Sequence, residues 1–299
     1  MNFNSNYNGP QKENDFSMLN DKNNNLFDEP KNDNNIETLF LSDESTPAMT
    51  NNIIQESVLP LLNNKLDNFI IFKNVSKIYS DESTPVYALD NVSFEISQGE
   101  LVVMLGPSGA GKSTALNALG GMDTVSSGTI IVDGVEVSKC SLNELTEFRR
   151  NKIGFIFQFY NLIQNLTTIE NVKLVAELCK NPLNSEEILK KVGLDNRLNN
   201  FPSQLSGGEQ QRASVARALV KNPKVLLCDE PTGALDYKTG KQILQLLYDT
   251  CRNNHITVII ITHNTLIAPI ADKVISFKSG KITSVKINPK PTPVGEIEW

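Results

Sequence analysis

No stretch of this sequence carries the surplus of basic residues that a nucleic-acid surface requires. Its 28 Lys and Arg face 34 Asp and Glu, a net charge of −6, and residues 1–66, with four lysines against ten acids, account for all of it. The remainder is neutral, which argues against DNA or RNA as a partner. The four cysteines, Cys140, Cys179, Cys228 and Cys251, stand far apart and follow no metal-ligand spacing. Reduced thiols in a cytoplasmic protein are therefore expected. Long apolar runs are missing too: the longest, residues 101–105 and 258–261, fall far short of the roughly 20 residues that cross a bilayer. The opening MNFNSNYNGP has no basic-then-apolar secretion pattern. Any membrane role is expected to come through a partner, without direct insertion.

What is present divides the chain in two. Asparagine-rich sequence, such as NNN at 23–25 and NDNN at 32–35, fills residues 1–66. With few large apolar residues this stretch cannot offset the entropy of ordering, which predicts a disordered acidic tail. It reads either as a tether or regulatory arm or as a tolerated extension shaped by biased base composition, with the second favoured. IIQESVLPLL at 53–62 is the exception, a candidate short docking helix. Order is expected from about Phe69. FIIFKNVSKIY and VYALDNVSFEI, separated by the turn-like DESTP, predict an antiparallel sheet. TIIVDGVEV predicts a further hairpin about Asp133-Gly134. GELVVML predicts a buried strand entering a glycine-rich loop, with a helix from Lys112. Most segments between Leu142 and Leu205 read as helical, broken at Pro182, Gly193 and Pro202. A helix (209–220), strand (224–228), helix (239–252) and strand (257–262) follow, and this alternation predicts an α/β core with a parallel sheet.

Three segments carry the chemistry. Gly106, Pro107, Ser108, Gly109, Ala110, Gly111, Lys112 and Ser113 spell G-x-x-x-x-G-K-[ST], with Thr114 next, between a predicted strand and helix. The glycines let successive N–H groups turn inward as an anion nest, and the helix directs its positive end at phosphates. Lys112 is expected to reach the β- and γ-phosphates of ATP, and the Ser113 hydroxyl to bind Mg²⁺. Val225 to Cys228 is an apolar strand ending in Asp229 and Glu230. Asp229 suits the shell of Mg²⁺, while Glu230, pointing elsewhere, suits a general base for the attacking water. In LSGGEQQR (205–212), Ser206 and Glu209 form a capping box, and Gly207 and Gly208 suit a tight helix entry. That helix start offers free N–H groups to an anion its own phosphate loop does not need, so the expected anion is a γ-phosphate held by a second subunit.

At this point the chain resembles the ATP-binding-cassette (ABC) ATPases, over roughly residues 69–285. The resemblance adds Tyr79 as the aromatic that stacks on adenine, Gln158 in IGFIFQFYNL as a metal- and water-sensing residue, Asp236 in GALD, and His263 in IITHN. Within the superfamily, FRRNKIGFIFQFYNLIQNLTTIENV is similar to the lipoprotein-release, macrolide-export and cell-division group. Two departures stand out: GMDTVSSG lacks the usual proline before its Ser-Gly, and Asn264 replaces the acidic residue that commonly follows the histidine.

The resemblance implies a P-loop NTPase core with a mainly parallel sheet, an antiparallel β subdomain and a helical subdomain at about 156–205, all within residues 67–299, with a C-terminal tail from about 286. It also implies a head-to-tail homodimer with ATP between the phosphate loop of one copy and the signature of the other. Gln158 would begin the helical segment, beside the surface that grips a separate membrane permease, placing the protein on the cytoplasmic side of the membrane. Export or lipoprotein and peptide extrusion is the implied work; a mechanical regulator of cell-envelope enzymes is the alternative. Chromosome-type ATPases split the cassette with heptad repeats, and none lies between Thr114 and Leu205. Translation-factor types carry two cassettes, and this chain has one.

Overall fold

The computed structural model describes residues 68–80 and 84–298. The acidic tail and the 53–62 segment lie outside the described residues, as do Asp81, Glu82 and Ser83 of the expected turn. β1 (Asn68–Ser80) and β2 (Pro85–Ser97) pair antiparallel, from Asn68 with Ser97 to Ser80 with Pro85. β3 (Leu101–Leu105) then leads into the glycine-rich loop and α1 (Lys112–Leu119). β4 (Ser127–Val132) pairs with β1 and returns as β5 (Val135–Glu136). Asp133 (φ 47°) and Gly134 (φ 75°) are both left-handed, as a two-residue hairpin turn of matching twist demands. The four-stranded sheet therefore runs β2-β1-β4-β5.

α2 (Leu142–Lys152) starts at a capping box in which Ser141 and Glu144 satisfy each other's backbone N–H groups. Directly after it, β6 (Ile153–Ile156) is a strand where a helical reading was expected. IGFI is too short for periodicity to separate strand from helix, and parallel pairing with β7 (Val225–Asp229) decides it. Between them lie α3 (Thr168–Glu177), α4 (Ser185–Lys191) and α5 (Gly207–Leu219). α6 (Tyr237–Asn254), β8 (Thr257–Thr262) and the β9 (Lys273–Lys278) to β10 (Lys281–Ile287) hairpin complete the fold. The six-stranded sheet runs β10-β9-β3-β8-β7-β6, with only the β9–β10 pair antiparallel.

The central strands are buried on both faces, so their sequences are continuous apolar runs rather than alternating ones. Leu101 and Val103 face a core shared with Leu189, Leu219 and Leu247. Val102 and Met104 face the opposite core, with Phe72, Leu116 and Ile130. Each such side chain contributes about 1.5–3 kcal/mol. Register sets the functional edge: Leu105 lies beside Thr262 on β8, and Asp229 beside Ile261. The residues that follow β3, β7 and β8 therefore emerge along one carboxyl edge of the sheet, where ligands of open α/β folds bind. The expected C-terminal tail begins inside β10 and continues as a packed strap: Val294 and Ile297 are buried, and Lys241 Nζ donates to the carbonyls of Gly295 (2.7 Å) and Ile297 (3.1 Å). All four cysteines are free thiols; burial raises the Cys251 thiol to about 11.

Candidate functional site

The glycine-rich loop is gripped from two sides. A Cβ on Gly106 would lie 2.4 Å from the carbonyl oxygen of Phe277, and one on Gly111 (φ 101°) would lie 2.4 Å from that of Ala88. The Gly280 N–H also donates to the Ala110 carbonyl at 3.0 Å. The first two contacts explain why glycine stands at these positions. Lys112, nearly buried at the amino end of α1, donates from Nζ to the carbonyls of Gly106 (2.7 Å) and Pro107 (2.9 Å). Burial lowers its proton affinity, while Glu230 and Asp229 raise it. A fixed cation, free helix-start N–H groups and the helix dipole converge here, which is what an anion needs.

Asp229 ends β7 with its carboxylate hydrogen-bonded to Ser113. Burial raises its pKa, the Glu230 charge raises it further, and Ser113 and Lys112 oppose the rise. Two adjacent carboxylates in a half-buried site suit a divalent cation. The oxygens offered by Ser113, Asp229 and Gln158 are the hard donors that Mg²⁺ prefers. Among the described residues no group of three His, Cys, Asp or Glu side chains could hold a metal alone. An ion here would complete its shell with water and phosphate oxygens.

Glu230 adopts φ 46°, a left-handed conformation that costs a non-glycine residue about 1–3 kcal/mol. Three bonds to the end of β8 hold it there. Its Oε2 accepts from the Thr262 hydroxyl (3.0 Å), and its Oε1 accepts from the His263 backbone N–H (3.0 Å) and lies 2.8 Å from His263 Nδ1.

A cavity of ≈ 520 Å³ brings together Ser108 to Thr114, Gln158, Asp229, Glu230 and His263. Gln158 lies in the loop after β6, ten residues before α3 begins, rather than at the head of a helix. Val86, Tyr87 and Ala88 of β2 also line the cavity. No motif marked them, and only their place across from the loop reveals them. Tyr79 stands at its border, hydrogen-bonded to the lining residue Thr114; its hydroxyl also donates to Asp123 at 2.6 Å, a bond that raises its pKa, and Lys77 Nζ lies 4.9 Å from its ring centre.

Ser206, Gly207, Gly208, Glu209 and Asp236 also lie outside this cavity. They form a surface of their own. The Ser206 N–H donates to Glu209 (2.8 Å), the Glu209 N–H donates to Ser206 Oγ (3.3 Å), and Glu209 pairs with Arg197 at 2.9 Å. These partners, the Ser206 N–H foremost, hold the Glu209 carboxyl below its usual pKa. A Cβ on Gly208 would lie 2.2 Å from Thr239 Cγ2, and Thr239 is the residue whose N–H the Asp236 cap accepts at 3.1 Å. The starts of α5 and α6 are thus packed against each other.

A phosphate loop, a strand-end carboxylate pair and a histidine on one sheet edge, with a separate glycine-rich helix start, define a nucleotide-hydrolysing cassette. Residues 89–233 match the ABC transporter family. A Mycoplasma pneumoniae putative ABC transporter ATP-binding protein, the MG065 homolog, is 42% identical over 248 residues, covering 82% of this chain and 52% of the relative. The macrolide export ATP-binding/permease protein MacB of Mannheimia succiniciproducens is 41% identical over 220 residues, covering 72% of this chain and 34% of its own length. The Methanocaldococcus jannaschii cassette MJ0796 was solved as a dimer in a post-hydrolysis state bound to ADP and Pi; it is 40% identical, with a TM-score of 0.68, covering 73% of this chain and 98% of that one. The chain belongs to the ABC transporter family, as one of its ATP-binding cassette proteins. It spans about half the length of the Mycoplasma relatives it matches.

Proposed function

We propose that the chain is the nucleotide-binding subunit of an ABC transporter, that it closes as a homodimer on ATP, and that it drives a separate permease from the cytoplasmic side of the membrane. The observation that carries this reading is the convergence of Ser108 to Thr114, Asp229, Glu230 and His263 on one cavity. Phosphoryl transfer needs positioning and charge neutralisation more than covalent chemistry. Lys112 and the loop N–H groups take the phosphates. Ser113, Asp229 and Gln158 would hold Mg²⁺, which supplies charge neutralisation at the phosphates when bound. Glu230 accepts the proton of the attacking water, and His263 fixes the carboxylate through its N–H and ring. Ser206 to Glu209 and Asp236 complete the site of a second copy, in keeping with the dimer formed by the archaeal relative.

The permease is expected to dock near Gln158 to Gln164. Phe159 there is 77% exposed and Ile163 45% exposed, an apolar surface next to a residue that senses the nucleotide. No described helix is long and apolar enough to cross a membrane, which fits a role for a partner chain. Export, or lipoprotein or peptide extrusion, is the work this reading favours, in line with the macrolide exporter among the relatives. Copurification of the full chain from membranes, with and without a Tyr160→Asp change, tests it. The parental chain should bring down a multi-span permease, and the variant should lose it while still binding ATP. Stable binding of the purified chain to protein-free anionic vesicles would contradict the arrangement.

A further inference from the structure

α5 carries ties that the signature at its start does not explain. From the last turns of the helix, Arg217 Nη1 donates to the carbonyl of Asn161 at 2.5 Å, and Nη2 donates to the carbonyl of Tyr160 at 2.8 Å. Tyr160 (φ 58°) and Asn161 (φ 52°) are consecutive left-handed residues just after Gln158. Asparagine tolerates this region but tyrosine does not, so the turn stores strain at Tyr160 and gains from outside support. One planar guanidinium spanning two successive carbonyls supplies it. Burial lowers the proton affinity of Arg217, and no acidic partner contributes. The guanidinium is therefore committed to the turn rather than to a carboxylate.

The same turn also reaches the other end of α5. The Tyr160 hydroxyl lies 3.0 Å from where a Cβ on Gly207 would stand, at the first residue of the helix. Between these contacts, the fully buried Gln211 donates from Nε2 to the carbonyl of Pro231 at 3.0 Å, one residue past Glu230. α5 is thus fastened to the Gln158 turn through Arg217 and to the Glu230 turn through Gln211, and the Tyr160 ring packs close to its first residue.

We propose that Arg217 is a positioning residue that locks the turn after Gln158 to α5, so that the signature at the head of α5 is aimed at the partner copy only while that turn keeps its shape. This rests on the composite-site reading above. Without Arg217 the Tyr160 and Asn161 carbonyls lose their donors and the strained turn relaxes. The signature surface then loses its fixed angle, while the phosphate loop, on a different strand of the sheet, keeps its contacts.

The test uses full-length protein in a Glu230→Gln background. Affinity for a fluorescent ATP analogue reports the phosphate loop, and sedimentation with ATP reports dimer closure. Arg217→Ala should leave nucleotide affinity within about two-fold and weaken dimerisation roughly ten-fold, a typical coupling between sites. Arg217→Lys, which keeps the charge and a donating group but not the planar fork that spans both carbonyls, should fall between parent and Arg217→Ala. It also decides the matter if the alanine variant does not fold. Dimerisation of Arg217→Lys and Arg217→Ala equal to the parent, or a loss of nucleotide affinity in step with dimerisation, would overturn the assignment. If the Glu230→Gln parent itself stays monomeric with ATP, the composite-site reading fails and this assignment falls with it.

Discussion

The carboxylate of Glu230 lies 2.8 Å from Nδ1 of His263 and accepts the backbone N–H of the same residue at 3.0 Å. The strand register makes this pairing possible. β7 and β8 are parallel neighbours with Asp229 beside Ile261, so the residues after each strand meet at the sheet edge. Glu230→Gln keeps the shape of this contact but removes the proton acceptor. ATP should still bind, and turnover should fall by about 10²–10⁴-fold. His263→Ala leaves the acceptor in place and removes one of its three bonds, the ring contact, while the backbone N–H of residue 263 and the Thr262 hydroxyl remain, so it should lower kcat with little change in nucleotide affinity. Single-turnover hydrolysis alongside equilibrium binding checks both.

Gly111→Ala should damage the loop itself. The new methyl would stand 2.4 Å from the carbonyl oxygen of Ala88, at a φ of 101° that alanine resists. Overpacking of this kind costs about 1–3 kcal/mol. Urea unfolding should show that loss, and ATP affinity should fall because the N–H nest cannot close.

Asp229 gives a pH signature. Its folded pKa is raised above the ordinary 3.8, first by burial and then by Glu230. A raised carboxyl pKa means that stability is fully present below the unfolded value and is lost as pH rises through the folded value. In metal-free protein, Asp229→Asn should therefore raise the melting temperature at neutral pH, on the order of 2 °C once solvent screening is allowed for. The gain should vanish as pH falls toward 4. Melting curves from pH 4 to 8 check the sign, and Mg²⁺ with nucleotide should stabilise the parent more than Asp229→Asn.

Much of this site could be read in the chain because its parts are local. A phosphate loop is contiguous, and so are a strand ending in Asp229-Glu230 and a helix opening at Ser206, whose spacing is fixed by backbone geometry. Three kinds of feature were not local. β6 and the β9–β10 hairpin owe their existence to pairing partners far away in sequence. Val86, Tyr87 and Ala88 join the cavity only because β2 passes the loop. The Tyr79 hydroxyl finds Asp123, 44 residues on, which no motif announces. The Arg217 tie has the same origin, since a side chain reaching back 56 residues to a carbonyl leaves no pattern in the sequence.

The most direct measurement mixes two inactive chains. Ser206→Arg spoils the signature and spares the phosphate loop, and Lys112→Ala does the reverse. Each homodimer then lacks any intact composite site. A one-to-one mixture should recover roughly a quarter of the parental ATPase rate, since half the dimers are mixed and each mixed dimer holds one good site of two. Parental activity from Ser206→Arg alone, or no recovery on mixing, would contradict a site shared between two copies.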